Sequence, residues 1–269
     1  MVPMTEVCSC PLPSRRARSN ALLALIRTAL IVPFCLAAIW GFLLLKETRR
    51  WLRLGKPDAA RWVSRCCKAL CFLMGIKVEV RGALPPAGSL IVPNHVSYLD
   101  ICALASVAPC LFVPKHEVAS WPLVGRMVRS AEFPVVSRAR AHDLSISTQQ
   151  LRERLVAGQS VCVFLEGTTT GGDRVRPFFA PMLQPAIESA APVVPVGLRY
   201  SASHSAICIA EDVAYWKDHS LVPHALRLFG LHGVKVEIVF GDACQSEGQE
   251  RKAFATTLHH AVETLCFCR

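Results

Sequence analysis

The residues best suited to chemistry are a histidine and an aspartate five positions apart in the string Asn94-His95-Val96-Ser97-Tyr98-Leu99-Asp100. An imidazole titrates near neutral pH, so His95 can take a proton from an alcohol. A nearby carboxylate would fix its tautomer and steady the charge it acquires. Leu90–Pro93 reads as a strand, and if Ser97 caps a following helix, Asp100 falls in its first turn, one turn beyond the histidine. On spacing alone, a histidine satisfied by a loop carbonyl is the better reading, since such pairs arise often by chance.

Other candidates are weaker. His259-His260 on the terminal helix reads as a solvated face, and His116-Glu117 lacks further metal-ligand spacing. Ser201-Ala202-Ser203-His204 is not a nucleophile elbow and is expected to be a loop. The 13 cysteines are odd in number, lack paired C-x-x-C spacing and sit mostly in apolar surroundings, so they read as reduced thiols. No metal site is expected, and no phosphate-loop or dinucleotide fingerprint calls for a cofactor.

The elements that must position His95 and Asp100 begin at Gly75, where short apolar strands alternate with helices. Candidate strands are Lys77–Val80, Leu90–Pro93, Leu111–Val113, Phe133–Val136, Val161–Leu165, Val193–Leu198 and Val234–Phe240. The runs VCVFL and VVPVGL are apolar throughout, as in strands buried on both faces. Helices are expected from about Asp143 to Ala157 and from about Gln249 to Phe267. This alternation predicts an α/β fold with a mixed, largely parallel sheet flanked by helices. In such sheets sites form beyond the carboxyl ends of strands, which is where His95 lies.

Mean hydropathy is +0.36, and the excess is concentrated between Asn20 and Leu45, where Thr28–Leu45 is an uncharged run of 18 residues. As a helix that run spans about 27 Å, at the lower limit for a bilayer core. Arg27 could snorkel, and both a spanning helix and a surface-lying one fit the pattern. Lys46–Lys68 then holds eight basic residues against Glu47 and Asp58, more than half of the net charge of +10. A basic block after an apolar run favours an anionic membrane surface; Trp51 and Trp62 read as interfacial, so nucleic acid is not the expected partner. Ala59–Met74 reads as a second, amphipathic helix. The expected organisation is a mobile tail over 1–20, a membrane-anchoring segment over 21–74 and a catalytic domain over 75–269.

The string from Pro93 to Asp100 resembles the first signature of the glycerolipid acyltransferases, the 1-acylglycerol-3-phosphate acyltransferase family. Later blocks follow in the family's order. Lys115, Trp121–Gly125 and Val135–Arg138 resemble the second signature, Phe164–Thr168 the third and Val194–Val196 the fourth, so the likeness covers roughly residues 75 to 245. It implies transfer of an acyl group from acyl-CoA or acyl carrier protein to a lysolipid hydroxyl in membrane lipid synthesis, at the cytoplasmic side of the inner membrane. His95 would be the general base and Asp100 its partner. Asn94, Lys115, Arg138, Glu166, Gly167, Thr168, Thr169 and Pro195 would serve substrate binding, with no cofactor beyond the acyl donor. Following a buried strand, the backbone N–H groups of Glu166–Thr168 and the Thr168 hydroxyl would face an anionic headgroup.

The family usually has proline at the position of Leu165, arginine at Thr169 and aspartate at Ser137. Glu-Gly-Thr-Thr followed by glycines, with Tyr215–Asp218, then Leu221, Pro223 and Arg227, and Val239–Asp242, resembles the branch that acylates lyso-ornithine lipids and related aminolipids. Arg174 and Arg176 are placed to replace the missing charge. The rival readings are a lipid-binding protein without activity and a hydrolase that uses the same histidine on water.

Overall fold

The computed structural model describes residues 19–114, 124–131, 133–136 and 141–268. The expectations placed on residues 1–18, on Lys115, His116 and Glu117, on 121–123, and on Ser137 and Arg138 lie outside them.

Two helices come first. In α1 (Ala21–Trp51) the Asn20 side chain accepts the Leu23 N–H, and in α2 (Ala59–Met74) Asp58 accepts that of Arg61. Each satisfies a donor that the first turn leaves free. Gly75 ends α2 at φ 68°, a left-handed conformation that glycine adopts without strain. The strands are β1 (Lys77–Arg81), β2 (Leu90–Pro93), β3 (Leu111–Phe112), β4 (Val161–Cys162), β5 (Val193–Ala202) and β6 (Val234–Phe240). Between them lie α3 (Leu99–Val107), α4 (Val124–Ser130), α5 (Ala141–Val156), α6 (Gln184–Glu188) and α7 (Leu221–Phe229), and α8 (Arg251–Phe267) closes the described chain.

The six strands are ordered β1-β6-β5-β2-β4-β3, antiparallel only between β5 and β6. This is the mixed, largely parallel sheet that the sequence predicts. β2 is buried at every position, as is β5 from Val193 to Leu198, which is why these segments are uniformly apolar. β2 therefore sits at the middle of the sheet, and the residues after Pro93 emerge at its carboxyl end.

Two expected strands differ. Phe133–Val136 forms only an isolated bridge at Val136: Pro134 has no N–H to donate, and the Val135 N–H goes to the Gln150 side chain. β4 stops at Cys162 because the chain turns, with the Gly167 N–H closing onto the Phe164 carbonyl at 3.1 Å. In the other direction, β5 runs on to Ala202, paired with β6 throughout.

α1 is long and apolar enough to cross a membrane. Yet it lies along the body, with Ala24, Arg27, Ile31, Ile39 and Phe42 buried on one face and Leu22, Leu25, Leu30, Trp40 and Leu44 exposed. The contacts run its length: Arg27 donates to the carbonyls of Phe229 and Leu231, Trp62 Nε1 to Ala38, and Lys46 Nζ to Ser130. Arg27 does not snorkel. It is buried, and its guanidinium satisfies the Phe229 carbonyl in the last turn of α7 and the Leu231 carbonyl just beyond it. Among the described residues ten cysteines are free thiols.

Candidate active site

Asn94 follows β2 and clamps it to β5: its Nδ2 donates to the Leu198 carbonyl at 3.1 Å, and its Oδ1 accepts the Leu198 N–H at 2.7 Å. An amide side chain is suited to this, having a donor and an acceptor side by side. The next residue is thereby set at the sheet's carboxyl end, and His95 Nδ1 lies 2.7 Å from Asp100 Oδ2. With the Nδ1 proton directed at the carboxylate, Nε2 is left as the basic nitrogen.

Asp100 is fully buried in the first turn of α3, where the helix dipole favours a negative charge. Besides the imidazole, Oδ2 accepts the N–H groups of Val96 (2.7 Å) and Ser97 (3.0 Å), and Oδ1 accepts the Tyr200 hydroxyl at 2.6 Å. Four donors on one carboxylate offset the cost of burying it. Burial and the Asp100 charge push the Tyr200 phenol well above its ordinary value, so it keeps its proton and donates. Ser97 contributes through its backbone. Tyr98 holds the cap position and no side chain caps α3, so the expected hydroxyl cap is absent.

The imidazole lies flat on Phe164, with centroids 3.9 Å apart and planes 19° apart, and Phe164 stacks in turn on Phe112. Around it the backbone is gripped from three sides. Glu166 Oε1 accepts the His95 N–H at 2.6 Å while Oε2 accepts that of Arg176 at 2.7 Å. The Thr170 N–H donates to the His95 carbonyl at 2.9 Å, and the Tyr215 N–H to that of Val96 at 3.0 Å. Burial pushes the Glu166 carboxyl up to about 7, against the two N–H groups that pull it down.

The residues named for substrate binding have the following places. Asn94 and Glu166 hold the scaffold. The Gly167 N–H is engaged in the turn to the Phe164 carbonyl. Thr169 Oγ1 donates to the Tyr215 carbonyl, and Thr168 is exposed. Pro195 is buried within β5, paired with Val92, and does not line the cavity of about 150 Å³ beside Asn94, Val96, Tyr200 and Cys266. A strand buried on both faces leaves its side chains to packing. Arg174 and Arg176 are exposed. His259 is not solvated as expected: its Nε2 meets the Val175 carbonyl at 3.2 Å and its ring packs edge-on against Phe178. With His260 and Glu263 it forms a group whose ligand atoms lie within 4.8 Å of one another.

The family model described as Acyltransferase matches residues 75–199. The lyso-ornithine lipid O-acyltransferase of Pseudomonas aeruginosa is 32% identical over 206 residues, covering 77% of this chain and 77% of that protein. The chain belongs to the acyltransferase family. The 1-acyl-sn-glycerol-3-phosphate acyltransferase of Neisseria meningitidis is 35% identical over 169 residues, covering 62% of this acyltransferase and 66% of its own length. The crystal structure of the 1-acyl-sn-glycerophosphate acyltransferase PlsC of Thermotoga maritima shares the fold, with a TM-score of 0.66 at 18% identity, over 92% of this chain and 94% of that one.

In this acyltransferase, residues that no spacing rule singled out complete the arrangement. Tyr200 reaches Asp100 because β5 lies beside β2, a neighbour relation that no local pattern encodes. Phe164 stood within a recognised block, but its stacking on His95 depends on where β4 ends. Tyr215 bridges Val96 and Thr169 across a long stretch of chain; the unusual string around it was the one available signal.

Proposed function

We propose that this acyltransferase moves a fatty acyl group from acyl-CoA or acyl carrier protein to the hydroxyl of a lysolipid, with His95 as general base and Asp100 as its orienting partner. The observation that carries this reading is the 2.7 Å contact between His95 Nδ1 and Asp100 Oδ2, with the carboxylate fully buried. Nε2 takes the acceptor's hydroxyl proton as its oxygen attacks the thioester carbonyl. The C–S bond then breaks, and the thiolate leaves with that proton, so no acyl-enzyme forms.

The acceptor is a lyso-ornithine lipid or related aminolipid. Where the family usually carries arginine, Thr169 has its hydroxyl held by the Tyr215 carbonyl, so the position offers no charge to a phosphate. The name of the Pseudomonas relative agrees with this. Lysophosphatidic acid is the second reading, favoured by the exposed Arg174 and Arg176 beside the same loop and by the name of the Neisseria relative.

Residues 21–74 serve as the anchor for a catalytic unit over 75–269, at the cytoplasmic face of the inner membrane. There α1 lies in the plane of the interface. A helix crossing the bilayer would have to surround with lipid the very stripe that packs on the body, including Arg27. Purified protein given a radiolabelled acyl donor and a panel of lyso-ornithine lipid, lysophosphatidic acid and lysophosphatidylcholine tests these statements. His95→Ala should lower transfer by about 10³-fold; undiminished transfer refutes the base assignment, and a preference for lysophosphatidic acid refutes the acceptor.

A further inference from the structure

Helix α7 is inside out for a helix that faces water. Its polar side chains, His224 and Arg227, turn into the protein. His224 is buried, with Nε2 on the Ala214 carbonyl at 3.0 Å and Nδ1 on the Tyr98 hydroxyl at 3.1 Å. Arg227 pairs with the fully buried Asp212 through Nη2 at 2.7 Å and Nε at 2.8 Å. The outward residues are apolar: Leu221, Val222, Pro223 and Leu226, with Val222 at 66% exposure and Leu226 at 43%. A soluble helix distributes these classes the other way round.

What covers that face follows from its neighbour. α7 lies against the first turns of α1. Leu228 and Leu231 pack with Ile31, Arg27 donates to Phe229 and Leu231, the Asn20 N–H donates to the Gly230 carbonyl, and Ser19 Oγ donates to that of Arg227. The part of α1 held in this way exposes Leu22, Leu25, Ile26 and Leu30 on its free side. Two helices pinned together therefore both present apolar side chains outward, and lipid that reaches one lies beside the other.

We propose that α7 is a second membrane-inserting element, entering the lipid interface through Leu221, Val222 and Leu226 beside α1. This rests on the reading of α1 as an in-plane anchor. It adds a consequence for the site, because the buried His224 on α7 bonds Tyr98, which lies between His95 and Asp100 in the chain. The element that meets lipid is thus attached to the loop where a lipid acceptor must arrive.

The test is co-sedimentation of the full chain with phosphatidylglycerol–phosphatidylethanolamine vesicles. Val222→Asp with Leu226→Asp should lower vesicle affinity at least tenfold, while turnover of a short-chain lysolipid dispersed below its micelle concentration stays at the wild-type rate. Leu25→Asp with Leu30→Asp, on α1, is the reference. If the α1 pair weakens binding and the α7 pair does not, α7 is not a membrane element while the anchor reading stands. If neither weakens it, both fail. A fall in oligomeric size on Val222→Asp and Leu226→Asp, with vesicle binding unchanged, would show a second copy covering the face and overturn the proposal. Leu226→Trp gives an independent readout: its added fluorescence should be quenched by brominated lipid, and unquenched emission counts against insertion.

Discussion

Replacing Asp100 by asparagine separates charge from shape at the site. Oδ2 receives three donors, His95 Nδ1 and the N–H groups of Val96 and Ser97, while Oδ1 receives one, the Tyr200 hydroxyl. An asparagine fits only with its carbonyl at the Oδ2 position, because its amide there would face three N–H groups. The amide then faces the Tyr200 oxygen, and that hydroxyl can turn to accept. Most of the network survives and the imidazole keeps its tautomer; what is lost is the negative charge. Hydrogen bonds to charged groups are worth about 1.5–3 kcal/mol against about 1 for neutral ones, and the imidazolium loses its ion-pair partner as well. A loss of about 2–3 kcal/mol from the transition state corresponds to a fall in kcat of roughly 30- to 150-fold, with KM little changed. Alanine is different, since it leaves two buried N–H groups and a phenol without an acceptor, at about 1–3 kcal/mol each. Radiolabel transfer at saturating donor and thermal unfolding in the same detergent distinguish the two. Asn should cost activity with Tm nearly kept, and Ala should cost both. A folded Asp100→Asn enzyme with wild-type kcat would refute the role of the carboxylate charge, and an unchanged Tm in Asp100→Ala would refute the four-donor account.

Two further outcomes follow from groups around the site. The Glu166 carboxyl is raised from its ordinary value near 4.5 to about 7, so the folded state holds its proton more tightly than the unfolded chain does. Its contribution to stability is therefore fully present below about pH 4.5 and is lost as pH rises through about 7; Glu166→Gln should remove that part of the slope in chemical unfolding measured from pH 4 to 8, and an identical slope would count against the shift. Arg199 holds the end of α8, with Nε on the Leu265 carbonyl and Nη2 on that of Cys268, and lies 3.6 Å from Glu237. Arg199→Ala should cost about 2 kcal/mol, lowering Tm by roughly 6 °C and speeding hydrogen exchange in the last turn of α8, whereas unchanged exchange would show that the helix end is held by packing alone.

Local pattern made much of this protein legible. The uniformly apolar runs at Val161–Leu165 and Val193–Leu198 marked strands buried on both faces, because such burial leaves no polar position. Ala59–Met74 was readable as an amphipathic helix, and in the structure Asp58 and Gly75 cap its two ends. Phe133–Val136 misled because its apolar content outweighed Pro134, whose missing donor matters only when a neighbouring strand is sought. The charge on Arg27 invited a path to water, while its partners were the carbonyls of Phe229 and Leu231, two hundred residues on.

The sequence by itself determined the chemical types at the site and their order, with His95 and Asp100 a fixed distance along the chain beyond a buried strand. It also determined that one segment is apolar enough to meet lipid. Only the tertiary structure decided how those types are used. Tyr200 joins Asp100 because β5 pairs with β2, Phe164 lies under the imidazole because β4 ends early, and Thr169 is tied to Tyr215. α1 lies along the body because a single buried stripe runs from Ala24 to Phe42. The physical reason is the same in each case: residue type and local spacing set what a side chain can donate, accept or bury, but its partner is chosen by strand order and helix packing, which bring together segments far apart in the chain.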